Sequence, residues 1–252
     1  LYDAPAQPSI APLGASVGTK QGFSIIKYTG SGTSGDTLPH GLSQTPDLII
    51  TKCIDASSID WIVKPVGLLS SESHMLILNG PNAEFQGTGG HISAQTSTTV
   101  TLTEGSNDGN YNNSEDNYIM YSWHNVPGLQ KFGVYAGNGA SDGGGSGGHD
   151  GPFIELGFRP ALIWIKNITT AADWMIHDTK RSPYNTAYQS LKINESEDEN
   201  ETTTLHEIDI LSNGFKIRNG DAQFNQVNKE YVYCAWAEAP TVNLYGGGAN
   251  AR

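Results

Sequence analysis

Charge is scarce in this chain: only 16% of its 252 residues are Asp, Glu, Lys or Arg. Cations are the scarcer sign, with 14 Lys and Arg against 26 Asp and Glu, a formal net charge of −12. A phosphate backbone is gripped by clustered Lys and Arg, so no nucleic-acid partner is expected. The two cysteines, Cys53 and Cys234, are too few for a disulfide framework; each lies in or at the end of an apolar strand and reads as a small hydrophobe. No run approaches the roughly 20 apolar residues that cross a bilayer, so membrane insertion is not expected. The opening residues show neither a basic n-region nor an apolar h-region, so no cleavable signal peptide is expected there. A sustained 3.6-residue apolar period is also missing, leaving at most one helical turn, at residues 185–192. Glycine, in contrast, is plentiful at 30 residues, which fits many strands joined by tight turns.

The chain repeats itself. Tyr28-Thr29-Gly30-Ser31-Gly32 returns as Tyr135-Ala136-Gly137-Asn138-Gly139, and Pro46-Asp47-Leu48-Ile49-Ile50-Thr51-Lys52 as Pro160-Ala161-Leu162-Ile163-Trp164-Ile165-Lys166. Asp60-Trp61-Ile62-Val63 returns as Asp173-Trp174-Met175-Ile176, and Tyr118 to Trp123 as Tyr231 to Trp236. Order is kept over roughly 110 residues per copy, the mark of an internal duplication. What recurs is scaffold, and what occurs once is where function is sought. Residues 1–20, with Pro5, Pro8 and Pro12, suit an extended arm or linker better than a strand. The copies then span about 21–127 and 128–240, before a short Gly-rich tail.

Each copy offers about six β-rich runs. In the first these are 23–28, 48–52, 61–64, 74–78, 92–103 and 118–124. In the second they are 132–135, 162–167, 174–178, 208–211, 215–218 and 231–237, with a hairpin signal at Ser212-Asn213-Gly214. Six short strands with one apolar face need a partner, and the other copy is the obvious one. The expected fold is all-β: a two-layer antiparallel β-sandwich, jelly-roll-like, built from two similar halves with pseudo-twofold symmetry.

Catalytic signals are poor. The seven histidines (His40, His74, His91, His124, His149, His177 and His206) form no zinc-binding pattern, and no Gly-x-Ser-x-Gly elbow is present. His149-Asp150, His177-Asp178 and His206-Glu207 are strand neighbours pointing to opposite faces. The recurring Asp60-Trp61 and Asp173-Trp174 read as strand entries, the carboxylate bonding a turn amide and the indole filling the core. Residues 107–116 are dense in oxygen ligands but lack the Gly and Glu of an EF-hand, so they read as a solvated hairpin tip. No catalytic residue, metal ligand or cofactor is assigned.

Three segments occur in only one copy. The first is the Gly-rich stretch 139–151, with Asp142, His149 and Asp150. The second is 180–188, with Arg181, Tyr184 and Tyr188, which suits an interface, a sugar-stacking surface or a cover for a sandwich edge. The third is the run from Glu195 to Glu201, five acids in seven residues, which reads as a self-repelling loop. Those six named side chains are the binding candidates.

The ordered phrases resemble a family of repeated β-domains in bacteriophage virion proteins, often toward the C-terminal end of tail-fibre or similar appendage chains. The residues that carry the resemblance include Gly22-Phe23, Tyr28-Thr29-Gly30, His40-Gly41-Leu42 and Pro46 to Lys52 in the first copy. In the second they include Gly157-Phe158-Arg159-Pro160, Asp178-Thr179-Lys180-Arg181, Leu211 to Phe215, and the ending Ala249-Asn250-Ala251-Arg252. The resemblance implies a non-enzymatic structural component of a virion: an appendage module that recognises a host-surface glycan or protein. It also implies a homo-oligomer, with a trimer expected, that contacts other virion proteins. Two alternatives stand beside it: a capsid-decorating head fibre or knob protein, and a polysaccharide-active enzyme on a β-sandwich.

Overall fold

Alternating apolar residues between Gly- and Pro-marked turns produce strands throughout, and every regular element among the described residues is a strand. The computed structural model describes residues 8–87, 90–103, 109–140, 150–199 and 206–238. Its contacts gather into two units, Leu1–Met75 with Gln86–His124, and Leu76–Phe85 with Asn125–Arg252.

The first unit is built on β1 (Gly14–Gly18), β2 (Phe23–Thr29), β3 (Thr37–Pro39), β4 (Leu48–Cys53), β5 (Ile62–Pro65), β8 (Ile92–Gln95), β9 (Thr99–Leu102) and β10 (Asn117–Trp123). Strands β6 (His74–Ile77) and β7 (Phe85–Gln86) straddle the boundary between the units. One sheet runs β1-β2-β10-β4-β5-β6-β7 and a second runs β3-β9-β8. Along β10 the pleat buries Tyr118, Met120 and Ser122 opposite Tyr28, Ile26 and Ser24 of β2. The other face carries a run of stacked rings: Phe23–Trp123 at 4.8 Å, Trp123–Tyr121 at 6.2 Å and Tyr121–Trp61 at 6.3 Å.

The second unit holds β11 (Gln130–Ala136), β12 (Phe153–Glu155), β13 (Pro160–Asn167), β14 (Trp174–Asp178), β15 (Leu191–Lys192), β16 (Ile208–Leu211), β17 (Gly214–Ile217) and β18 (Glu230–Ala237). The sheet β11-β18-β13-β14-β15 packs on the sheet β12-β17-β16 around a common core. Phe215 of the smaller sheet meets Tyr135 and Tyr233 of the larger edge-on, at 6.5 and 5.8 Å. Ile154, Ile208 and Ile217 close on Ile163, Ile165 and Met175. Each such side chain contributes about 1.5–3 kcal/mol by leaving water. The fold is an antiparallel β-sandwich as expected, and in the second unit both layers come from one repeat.

The duplicated phrases build one latch twice. The Tyr28 hydroxyl donates to Tyr111 O at 2.6 Å, and the Tyr135 hydroxyl donates to Phe224 O at 2.8 Å. A second tyrosine stacks on each, Tyr118 at 5.2 Å and Tyr231 at 5.0 Å. Tyr118 accepts from Asn113 N and donates to Gly109 O; Tyr231 accepts from Gln226 N and donates to Ala222 O. An asparagine completes each latch, Asn112 Oδ1 accepting Ser31 N at 2.8 Å and Asn225 Oδ1 accepting Asn138 N at 2.9 Å. Glycine is required where these chains cross, because a Cβ on Gly30 would collide with Asn113 O and one on Gly137 with Gln226 O.

Several expected elements came out differently. Part of the N-terminal arm is a strand: residues 14–18 pair with residues 23–27 of β2, a tertiary pairing that local composition does not announce. The run 92–103 is two strands, because Thr96 Oγ1 accepts Thr98 N and Thr99 N and turns the chain. No helical turn forms at 185–192, where Ala187 bridges to Ile208 and β15 begins. Residues 110–112 are buried parts of the latch and not a solvated tip.

Asn112→Ala and Asn225→Ala are each expected to lower the unfolding free energy by about 1–3 kcal/mol, since each strands a loop amide. Urea denaturation of the variants measures this, and an unchanged midpoint would remove the latch from the stability account.

Candidate functional site

The second repeat carries a loop, residues 179–190, between β14 and β15. Its backbone is fixed at both ends and in the middle. Asp178 Oδ1 accepts Lys180 N at 2.9 Å and Arg181 N at 2.8 Å, an Asx-type turn. Ser182 Oγ accepts Gln189 N at 3.2 Å across the loop. The Asn185 side chain imitates a ladder residue against β16: Nδ2 donates to Ile210 O at 3.0 Å and Oδ1 accepts Ile210 N at 2.8 Å. Ala187 exchanges both main-chain bonds with Ile208, at 2.8 and 2.9 Å. The loop thereby covers the open edge of the smaller sheet, whose last strand is β16. Its outward side chains remain free to meet another molecule: Tyr184 is 83% exposed and Tyr188 41%.

Two cations around this loop are each held between two acids. Arg181 lies between Asp178 (Nε–Oδ2 2.9 Å) and Glu199 (Nη1–Oε2 3.5 Å). Lys192 lies between Asp173 at 3.1 Å and Glu197 at 2.7 Å. Glu197 and Glu199 of the acidic run are thereby paired with cations, while residues 195–199 form an irregular and mostly exposed loop as expected; residues 200 and 201 lie outside the described residues. The Glu197 bond raises the pKa of Lys192, and Asp173 raises it further. Burial pushes Asp173 up, but the bonds from Asn194, Lys192 and Gln223 outweigh it and hold the carboxyl below its ordinary value.

Of the six binding candidates, Arg181, Tyr184 and Tyr188 share this loop. Asp150 lies elsewhere, bonded to Lys216 Nζ of β17 at 2.6 Å, and that bond lowers its pKa. Asp142 and His149 lie outside the described residues, as do the closing residues Ala249 to Arg252. The recurring Asp-Trp also needs correction. Asp173 bonds the side-chain amides of Asn194 and Gln223 and the Lys192 ammonium, not a turn amide. Trp174 is fully buried, whereas Trp61 is 36% exposed on the surface of its sheet. Sequence reading missed Asn185, whose only signal was its place in a segment unique to one copy.

Beneath the loop lies a buried polar pair. His177 Nε2 donates to His206 O at 2.8 Å, and Ser190 Oγ pairs with His206 Nδ1 at 2.8 Å. The Phe224 ring closes on both imidazoles, at 5.5 and 5.4 Å. Burial pushes His177 down to about 4 and also lowers His206. Ser190 and His206 are 2% and 7% exposed, so this pairing serves the interior of the unit. No group of three or more His, Cys, Asp or Glu that could hold a metal ion occurs among the described residues. No helix there is long and apolar enough to cross a membrane.

Residues 8–240 match a family described as a domain of unknown function, DUF7483. The chain belongs to the DUF7483 family. No curated protein and no solved structure matches it. Within DUF7483, this chain shows a duplicated Tyr-Gly-Asn latch and a pinned, tyrosine-bearing loop in its second half. The family match covers both repeats and the strand β1 of the arm.

The buried histidine sets an expected acid response. Folded His177 titrates near 4 against an ordinary 6.5, so between those values the unfolded chain binds a proton that the folded chain does not. Stability therefore falls as pH drops from 6.5 toward 4, by about 3 kcal/mol from this group, and His206 adds a loss of the same sign. Urea midpoints across this range should show the loss, and His177→Gln should flatten it. A slope equal to the parent's would remove His177 as its source.

Proposed function

We propose that this chain is a non-enzymatic structural module of a bacteriophage virion, part of a tail fibre or similar appendage, that meets a host-surface glycan or protein. The resemblance of its ordered phrases to repeated virion β-domains supports this reading, and the second-repeat loop carries it. A loop fixed by Asn185, Ala187 and Ser182 loses little further entropy on binding. Tyr184 and Tyr188 supply amphipathic rings suited to stacking on a sugar or filling a protein interface. Arg181 is already engaged by two carboxylates, so in this proposal the tyrosines rather than Arg181 make the contact. In this proposal the module acts as a homotrimer attached to other virion proteins, located on the extracellular particle.

Immunogold labelling of intact particles that carry the chain tests its place; gold on the capsid shell would favour the decorating alternative. For recognition, the parent chain and Tyr184→Ala and Tyr188→Ala variants are compared on an array of bacterial polysaccharides and on host cells. Each variant is expected to lose binding at least tenfold with an unchanged thermal midpoint. Equal binding by parent and variants would move the contact off this loop. Release of reducing sugar from any bound polysaccharide would overturn the non-enzymatic reading.

A further inference from the structure

Two buried groups of the second repeat are completed by chain from the first repeat. Residues Leu76–Phe85 group with the second unit, and several of their main-chain atoms bond it. Ile77 O accepts the Trp174 indole N–H at 2.7 Å. Pro81 O accepts both Lys166 Nζ, at 3.0 Å, and Ala172 N, at 2.8 Å. Glu84 N donates to Ile168 O at 2.9 Å. Lys166 and Trp174 are both 0% exposed, and a buried ammonium needs all three of its donors matched. Asn167 O and Ala172 O supply two acceptors, at 3.1 and 2.6 Å, and the third is Pro81 O of this segment.

The first repeat provides an internal control. Lys52 and Trp61 stand at the positions equivalent to Lys166 and Trp174. Lys52 bonds Ile59 O, the counterpart of Ala172 O, and stays half-buried; Trp61 is 36% exposed. The same two residue types are thus fully buried in the repeat where a strap lies over them and stay nearer solvent in the other. We propose that Leu76–Phe85 is an obligatory strap of the second unit, a segment whose main-chain groups bond that unit and without which the second repeat does not reach its native core. The loop bearing Tyr184 is then assembled only on a chain that also carries the first repeat. This inference does not rest on the proposed function.

Hydrogen exchange on the full chain tests it. In the parent protein, the amides of Glu84 and Ala172 are expected to share one denaturant dependence with those of β13 and β18. A separate, shallower dependence for the strap would overturn the proposal without any variant. Trp174→Phe and Lys166→Met each remove donors to the strap while keeping an apolar body in place. Each should speed exchange at least tenfold in residues 76–85 and in β13 and β18 together, leaving Gly30 and Gly32 of the first latch unchanged. Acceleration confined to 76–85 would make the strap an ornament. Equal acceleration throughout the chain would replace the strap by general destabilisation. Either result overturns the proposal.

Discussion

The buried phenols of Tyr28 and Tyr135 each place the hydroxyl on a main-chain carbonyl, and that pair of bonds organises both halves of this protein. Tyr28 and Tyr135 reach past their own strands to a carbonyl of the segment that leads into β10 or β18. Burial raises the pKa of both hydroxyls, so each stays a neutral donor and its bond is kept across the physiological range. The glycine two residues on is then forced: the crossing segment passes so close to Gly30 and Gly137 that no side chain fits. Asparagine follows as well, since the turn between the two glycines leaves an amide that Asn112 or Asn225 must accept. Tyrosine, glycine and asparagine therefore form one interaction, separated in sequence and joined in space.

Because the latch is duplicated, the rest of each copy could diverge. The second repeat extended the connection after β14 and laid it along the edge of β16, which removes an open edge that another chain could otherwise pair with. Covering the edge through Asn185 and Ala187 left Tyr184 before them and Tyr188 after them exposed. In a chain with so few cations, Arg181 and Lys192 are each shared between two acids, and that sharing draws the acidic segment onto the same side of the unit. What such a surface can offer a partner is aromatic area and amide hydrogen bonding more than net charge.

Much of this architecture was legible in the sequence. The all-β class, the antiparallel sandwich and most strand positions followed from alternation and punctuation, since Leu48–Cys53 and Glu230–Ala237 are apolar on both faces and could be little else. The recurrence of Tyr-x-Gly-x-Gly marked scaffold correctly. Its partner asparagines were hidden, because Asn112 sat in a stretch whose oxygen-rich composition suggested solvent, while the fold turned Asn110 and Tyr111 inward. Strand β1 was hidden for the opposite reason: Gly14–Gly18 has no apolar alternation of its own and is a strand only because β2 offers it an edge. Of the candidate site, the segment with Arg181, Tyr184 and Tyr188 was found from its absence in the other copy. The role of Asn185 was not, because a side chain standing in for a strand residue leaves no period to read.

The recurring lysine shows how one motif can hold two meanings. At the end of β4 and of β13, Lys52 and Lys166 fold back on the turn before the next strand and donate to its carbonyl, Ile59 O or Ala172 O. That role alone needs one donor and tolerates solvent, as the half-buried Lys52 shows. Lys166 is sealed among three carbonyls, and the geometry selects an ammonium over a guanidinium. Three donors diverging from one nitrogen match three oxygens, from the end of its own strand, the turn that follows it and residues 76–85, whereas the planar fork of arginine presents five donors and would leave some of them buried without acceptors. The motif thus fixes a turn in both repeats. In the second repeat the same nitrogen also reads a carbonyl from residues 76–85, which turns a local staple into a joint between parts of the chain far apart in sequence.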